Sequence, residues 1–150
     1  MKIQTSRFGE LDIDDTRIIT FTEPVLGFPD NKKFVLLDNT NNLFKWLQST
    51  ENKDLAFVMI DPLQIMENYE VSVSNESIKD LNLLSIDKAV VLCIVNIANE
   101  CASVTANLVG PVILNPEKML AKQVVLLNSP YSLKHSIMGS IQSEAAVGEK

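Results

Sequence analysis

Ala89-Val90-Val91-Leu92-Cys93-Ile94-Val95-Asn96-Ile97 is the stretch on which the fold turns. From Val90 to Val95 it carries no polar alternation, and β-branched residues dominate it. Such a run fits a central strand covered on both faces. Phe57-Val58-Met59-Ile60 repeats the pattern. On either side the chain reads as further short runs: 17–21, 34–38, 44–48, 69–73, 102–108, 112–115 and 122–127. Turn formers separate them, among them Asp30-Asn31, Asn39-Thr40-Asn41-Asn42, Asp61-Pro62, Gly110-Pro111 and Asn128-Ser129-Pro130. These residues turn the chain through αL tolerance, Asx bonding or a fixed φ. Short strands at such spacing indicate a sandwich or a barrel. The fold class is mainly β.

One short helix is expected near 75–82. Ser74 supplies an N-cap oxygen, Glu76 suits the positive first turn, and Ile78, Leu81 and Leu83 can face inward. Asn82 is a natural terminator. Residues 1–135 are expected to form a single domain. Residues 136–150 then make a C-terminal tail, helical or disordered, with Ile137, Ile141 and Ala145 at helical spacing.

The 150 residues carry thirteen basic and nineteen acidic side chains, a net charge of −6, and 46% of them are hydrophobic. A chain of this size buries enough surface to fold without disulfide or metal. The acidity sits in the strand-rich part: residues 1–117 hold nine basic and seventeen acidic residues, a net of −8. Phosphate neutralisation needs a basic stripe, so direct nucleic-acid binding is disfavoured and a basic protein partner is favoured. Met1 to Arg7 has no signal-peptide core, and the longest apolar run is far shorter than the ~20 residues that span a bilayer. With two cysteines and no stapled framework, a cytoplasmic protein with no membrane association is expected.

Reactive chemistry is sparse. His135 is the sole histidine, and no nucleophile-elbow pattern surrounds any nearby serine. Cys93 lies in the apolar run and reads as a packed side chain, while Cys101 beside Glu100 is a thiol whose ionisation is disfavoured. The pair and one remote histidine do not have zinc spacing. Counting Asp12 as the first position of a calcium loop puts Arg17 where glycine is required, so that reading fails. Glu67 and Glu70 are expected at the surface. Five glycines leave no phosphate-cradling motif. No catalytic residue, cofactor or metal is expected. Glu10, Asp12 and Asp14 alternate with Leu11 and Ile13, which places three carboxylates on one solvent face, with Asp15 adjacent. Trp46 and Phe44 read as core aromatics.

Thr5-Ser6-Arg7-Phe8-Gly9-Glu10, Ile18-Ile19-Thr20-Phe21 and Gly27-Phe28 together resemble the opening of the flagellar assembly factor FliW family. Trp46-Leu47-Gln48-Ser49, Ile60-Asp61-Pro62, Thr105-Ala106-Asn107-Leu108 and Pro111-Val112-Ile113-Leu114-Asn115 continue it, and Ser129-Pro130-Tyr131-Ser132-Leu133-Lys134-His135 closes it. The turn Glu23-Pro24-Val25-Leu26-Gly27-Phe28 departs from the family's commoner Gly-Leu-Pro-Gly wording. The resemblance implies a small closed or partly open antiparallel β-barrel-like domain without catalytic activity. It also implies two partners: flagellin, and the carbon storage regulator, a basic homodimeric RNA-binding repressor of flagellin translation. The family's motifs do not assign interface residues; from charge density Glu10, Asp12, Asp14 and Asp15 are expected as the electrostatic half of a partner interface, and from their places beside turn-forming stretches Val25, Phe28 and Tyr131 as its apolar wall. The competing reading is a small barrel that binds or hydrolyses a small molecule, with His135 or the carboxylates in its mouth.

Overall fold

Alternation along each strand here serves two apolar faces, and that requirement shapes the whole molecule. The structure is a computed structural model that describes residues 1–38, 43–98, 103–127 and 129–137. Its strands are β1 (Lys2–Thr5), β2 (Gly9–Asp12), β3 (Ile18–Phe21), β4 (Lys33–Asp38), β5 (Phe44–Ser49), β6 (Ala56–Ile60), β7 (Val90–Ala98), β8 (Ser103–Ala106), β9 (Val112–Asn115), β10 (Leu120–Gln123) and β11 (His135–Ser136). A single α-helical turn, α1 (Asn75–Ile78), lies between β6 and β7.

Seven strands close a barrel in the order β7-β6-β5-β4-β3-β10-β9, with β9 returning to β7. The nine-residue β7 makes closure possible because it serves three neighbours. Cys93–Val95 pair with β6 along one edge, while on the other edge Val90–Leu92 pair with β9 and Val95–Ala98 with β8. One junction is parallel: Leu120 lies opposite Thr20 and Ala121 opposite Phe21, where β10 meets β3. The remaining barrel pairs are antiparallel, so the expected antiparallel barrel is closed with one parallel seam. β1 and β2 form a separate hairpin.

Ile19, Phe21, Phe34, Leu47, Met59, Leu92, Val112, Leu114 and Ala121 fill the barrel interior. The next residues along the strands face outward and are covered as well. Ile60, Cys93, Val95 and Ile113 pack beneath Tyr69, Ile78, Leu81, Leu108 and Ile137. On the opposite flank Ile3 and Ile13 of the hairpin region cover Val35. This explains why Ile60, Cys93 and Val95 are apolar on the outer face: the excursion 61–89, together with Leu108 and Ile137, takes the place of solvent there. Each fully buried side chain of this kind is worth roughly 1.5–3 kcal/mol.

Several expectations change. Tyr69–Val73 is not a strand; it lies across the barrel as irregular chain, anchored by the Tyr69 hydroxyl donating to the Leu108 carbonyl at 2.7 Å. The run expected at 122–127 pairs instead at Leu120–Gln123, because the β9–β10 turn at Met119 (φ 54°) brings Leu120 opposite Asn115. Asp14 leaves the strand face and caps the 3₁₀ turn Asp15–Arg17. At the end of the last described stretch Ser136 pairs in β11 and Ile137 is buried in the outer core. The turn at 39–42, Cys101 and the helical spacing through Ile141 and Ala145 lie outside the described residues.

The expected helix forms and stops as its residues dictate. Ser74 Oγ accepts from the Ser77 amide at 3.1 Å, and a 3₁₀ turn, Lys79–Leu81, ends at left-handed Asn82 (φ 57°). Asn115 Nδ2 donates to the Leu81 carbonyl at 2.8 Å, tying this element to β9. Lys122 fastens it to β10. Its side chain is only 11% exposed, and Nζ donates to the Ser77 carbonyl at 2.7 Å and faces Asp80 at 3.3 Å. Burial raises the Asp80 carboxyl, but hydrogen bonds and the Lys122 charge outweigh it and hold the group below 3.8. The stability from this contact is therefore complete above the ordinary carboxylate value and disappears as acid takes the pH down through the folded-state value. Lys122→Met should cost about 2 kcal/mol, less than a fully buried pair because Asp80 regains water. Denaturant titration checks it, and a loss that persists unchanged below pH 3 would mean packing, not charge, was removed.

Candidate functional site

Two turns set the geometry of the surface that stands out. Gly27 adopts φ +92°, a left-handed conformation that L side chains rarely take, and the Phe28 amide donates to the Val25 carbonyl at 2.9 Å. The result sends Val25 inward and Phe28 outward. Gly27→Ala meets no side chain, so its expected cost of about 1 kcal/mol is purely backbone strain, checked by thermal unfolding. At the hairpin tip, Arg7 and Phe8 rest on Trp46 of β5. The Arg7 guanidinium lies 4.3 Å from the ring centroid, and Phe8 meets the ring edge-on at 5.9 Å.

Between these turns an open groove of about 640 Å³ runs over β5, β6 and β7. Phe28, Trp46, Phe57, Val58, Ile97 and Leu133 make its apolar surface, and Arg7 and Lys134 are its charged residues. Ile97 and Leu133 are 45% and 64% exposed. The floor is rigidly founded. Phe28 meets Phe57 edge-on at 5.0 Å, Phe57 lies 5.9 Å from Phe34, and Phe34 lies 5.2 Å from Phe21 inside the barrel. A run of rings thus connects the groove to the core.

The expected interface residues divide. Phe28 is in the groove. Val25 is 2% exposed and packs inside the barrel, so it offers no surface to a partner. Tyr131 lines no part of the groove; its ring stacks 4.5 Å from Tyr69, and its hydroxyl accepts from the Glu70 amide at 2.8 Å. Tyr131 is therefore a buttress for the 61–89 excursion. Glu10, Asp12, Asp14 and Asp15 are all exposed on and just after the hairpin, but they are partly answered from within. The terminal ammonium of Met1 lies 3.6 Å from Asp12 and 3.4 Å from Asp15, and Lys2 lies 3.9 Å from Glu10. Hydrogen bonds from the Thr16 amide and hydroxyl hold the Asp14 carboxyl below the usual carboxylate value.

Sequence reasoning missed Trp46, Phe57, Ile97 and Leu133. Trp46 read as core, yet the alternation was legible: Leu47 fills the barrel, so its neighbour must face out. The other candidate chemistry sits as follows. Burial pushes the Cys93 thiol up to about 12, so it remains protonated. His135 is half-buried in β11 opposite Ala106. Among the described residues no three His, Cys, Asp or Glu side chains gather to hold a metal, and no helix is long and apolar enough to cross a membrane. The void left inside the barrel is about 10 Å³, too small for an organic ligand.

The family model described as FliW protein matches residues 2–137. A flagellar assembly factor FliW of Geobacter sulfurreducens is 40% identical, over 100% of this chain and 94% of that protein. One of Natranaerobius thermophilus is 39% identical over 97% of each. Among solved structures, a crystal structure of the flagellar assembly factor FliW superposes with a TM-score of 0.84 at 32% identity, over 91% of this chain and 96% of that one.

Proposed function

The chain belongs to the FliW family of flagellar assembly factors, and from that premise we propose that it acts by occupying other proteins and not by turning over a substrate. Its partners are flagellin and the carbon storage regulator, met in the cytoplasm. The observation that carries this reading is the open aromatic groove: a concave apolar surface built on rigid rings, with Ile97 and Leu133 exposed at its edge. Unassembled flagellin presents amphipathic terminal segments, and such a segment buries its apolar face in a groove of this kind. Arg7 and Lys134 then meet the polar side of the segment.

The acidic hairpin serves the second partner. A basic dimer approaches a chain of net charge −6 faster than it approaches a neutral one, so the ridge Glu10–Asp15 acts on association rate more than on final affinity. Binding the regulator relieves repression of flagellin translation. Accumulated flagellin then displaces it and restores repression. A surface of this design supports exchange of partners without chemistry.

The test is stopped-flow association of the regulator at low and moderate salt. Glu10→Gln/Asp12→Asn/Asp15→Asn leaves the Asp14 cap intact and should slow association several-fold at low salt, with dissociation little changed. Wild-type rates in this variant would reduce the ridge to a solvated face.

A further inference from the structure

A second groove, of about 660 Å³, lies on the barrel between the 61–71 segment and the start of β7. Leu63, 56% exposed, and Val90, 37% exposed, stand over a floor of Val71 and Ile86. Its rim differs in sign from that of the aromatic groove. Asp61, Glu70 and Asp87 line it, and its one cation, Lys45, is already paired with Asp38. Among the described residues neither the Glu70 nor the Asp87 carboxylate has an ion pair.

The wall is preorganised. Asp61 accepts from the Leu63 amide at 2.9 Å and sets the 3₁₀ turn that presents Leu63. Tyr69 is anchored through its hydroxyl, and Tyr131 fixes the Glu70 backbone. A groove held in this way loses little entropy when occupied. Both grooves draw on β7, the aromatic one at Ile94–Ile97 and this one at Val90–Leu92. One rim is basic and the other acidic, so a single segment cannot complement both.

We propose that this acidic-rimmed groove is a separate docking surface for a partner segment with apolar residues along one face and Lys or Arg beside them. The apolar face covers Leu63 and Val90, and the cations meet Glu70 and Asp87. The assignment does not depend on what occupies the aromatic groove.

The probe is a short helical peptide of leucine and lysine with all leucines on one face, titrated into isotopically labelled protein at physiological salt. Amide shifts should concentrate on residues 61–71 and 86–92. Glu70→Lys/Asp87→Lys should weaken binding about tenfold, the neutral pair Glu70→Gln/Asp87→Asn by less, and Leu63→Ser should weaken it at unchanged rim charge. The matching leucine–glutamate peptide should leave these amides unmoved. Shifts that fall on Glu10–Asp15 or spread over the whole acidic surface overturn the proposal. So does a charge-reversed protein that binds like wild type, or a glutamate peptide that moves the same amides. Should a variant lose its fold, the wild-type shift maps with the two peptides decide alone.

Discussion

Phe34→Ala is expected to lower the unfolding free energy by about 3–5 kcal/mol. Phe34 is fully buried and stands between Phe21 and Phe57, at ring distances of 5.2 and 5.9 Å. The cost depends on how far the surroundings can collapse into the space left behind. A closed ring of hydrogen-bonded strands collapses poorly, and the interior has a void of only about 10 Å³ to begin with. Removing the ring therefore creates a cavity that persists. Since domains are commonly stable by only about 5–15 kcal/mol, this variant should unfold at a far lower denaturant concentration with an unchanged slope. A loss under ~1 kcal/mol would mean that the barrel interior relaxes like an open sandwich.

If the aromatic groove takes flagellin as proposed, Trp46→Ala is expected to weaken that binding at least thirtyfold, about 2 kcal/mol, with a much smaller loss of stability. The residue combines features of an interface anchor: a large ring, half-buried, clamped by Arg7 on its face and Phe8 at its edge. That clamp fixes the side chain before any partner arrives, so little rotamer entropy is lost on binding. Trp46 is also the only tryptophan in the chain, and its fluorescence reports occupancy of the groove directly. Calorimetry on Trp46→Ala and Trp46→Phe separates the contributions, since the phenylalanine variant keeps much of the apolar area. Equal affinity for wild type and Trp46→Ala, at intact fold, would overturn the assignment of this groove to flagellin. The Leu63→Ser protein is the internal comparison, because Leu63 lines the other groove and lies outside this one.

Local signals were legible wherever the physics was local. Ser74 and Asn82 bounded the short helical segment because capping and left-handed termination involve residues within a few positions. The doubly apolar strands at 57–60 and 90–95 were legible because one face fills the barrel and most of the other packs beneath further chain, which leaves little solvent face to write polar residues on. Tyr69–Val73 misled for the same reason. Its alternating apolar residues meet the barrel's outer face as irregular chain, and packing from below looks in sequence like packing in a sheet. Val25 misled in another way. Leu26, Gly27 and Phe28 are exposed beside it, and only the turn decides which of four neighbours points inward.

By itself, the string of residues determined that this is a β protein with an acidic body, poor in reactive groups, and its motifs carried the family. These properties follow from composition and from periodicity over a few residues, which survive without knowledge of who packs on whom. Tertiary structure alone decided that the sheet closes through a parallel seam between β3 and β10, strands about a hundred residues apart in the chain. It alone decided that Trp46, Phe28 and Leu133 share one groove, and that Tyr131 supports a different wall. The reason is that surface complementarity is made by residues distant in sequence, whose meeting is set by closure of the barrel and leaves no mark on their immediate neighbours.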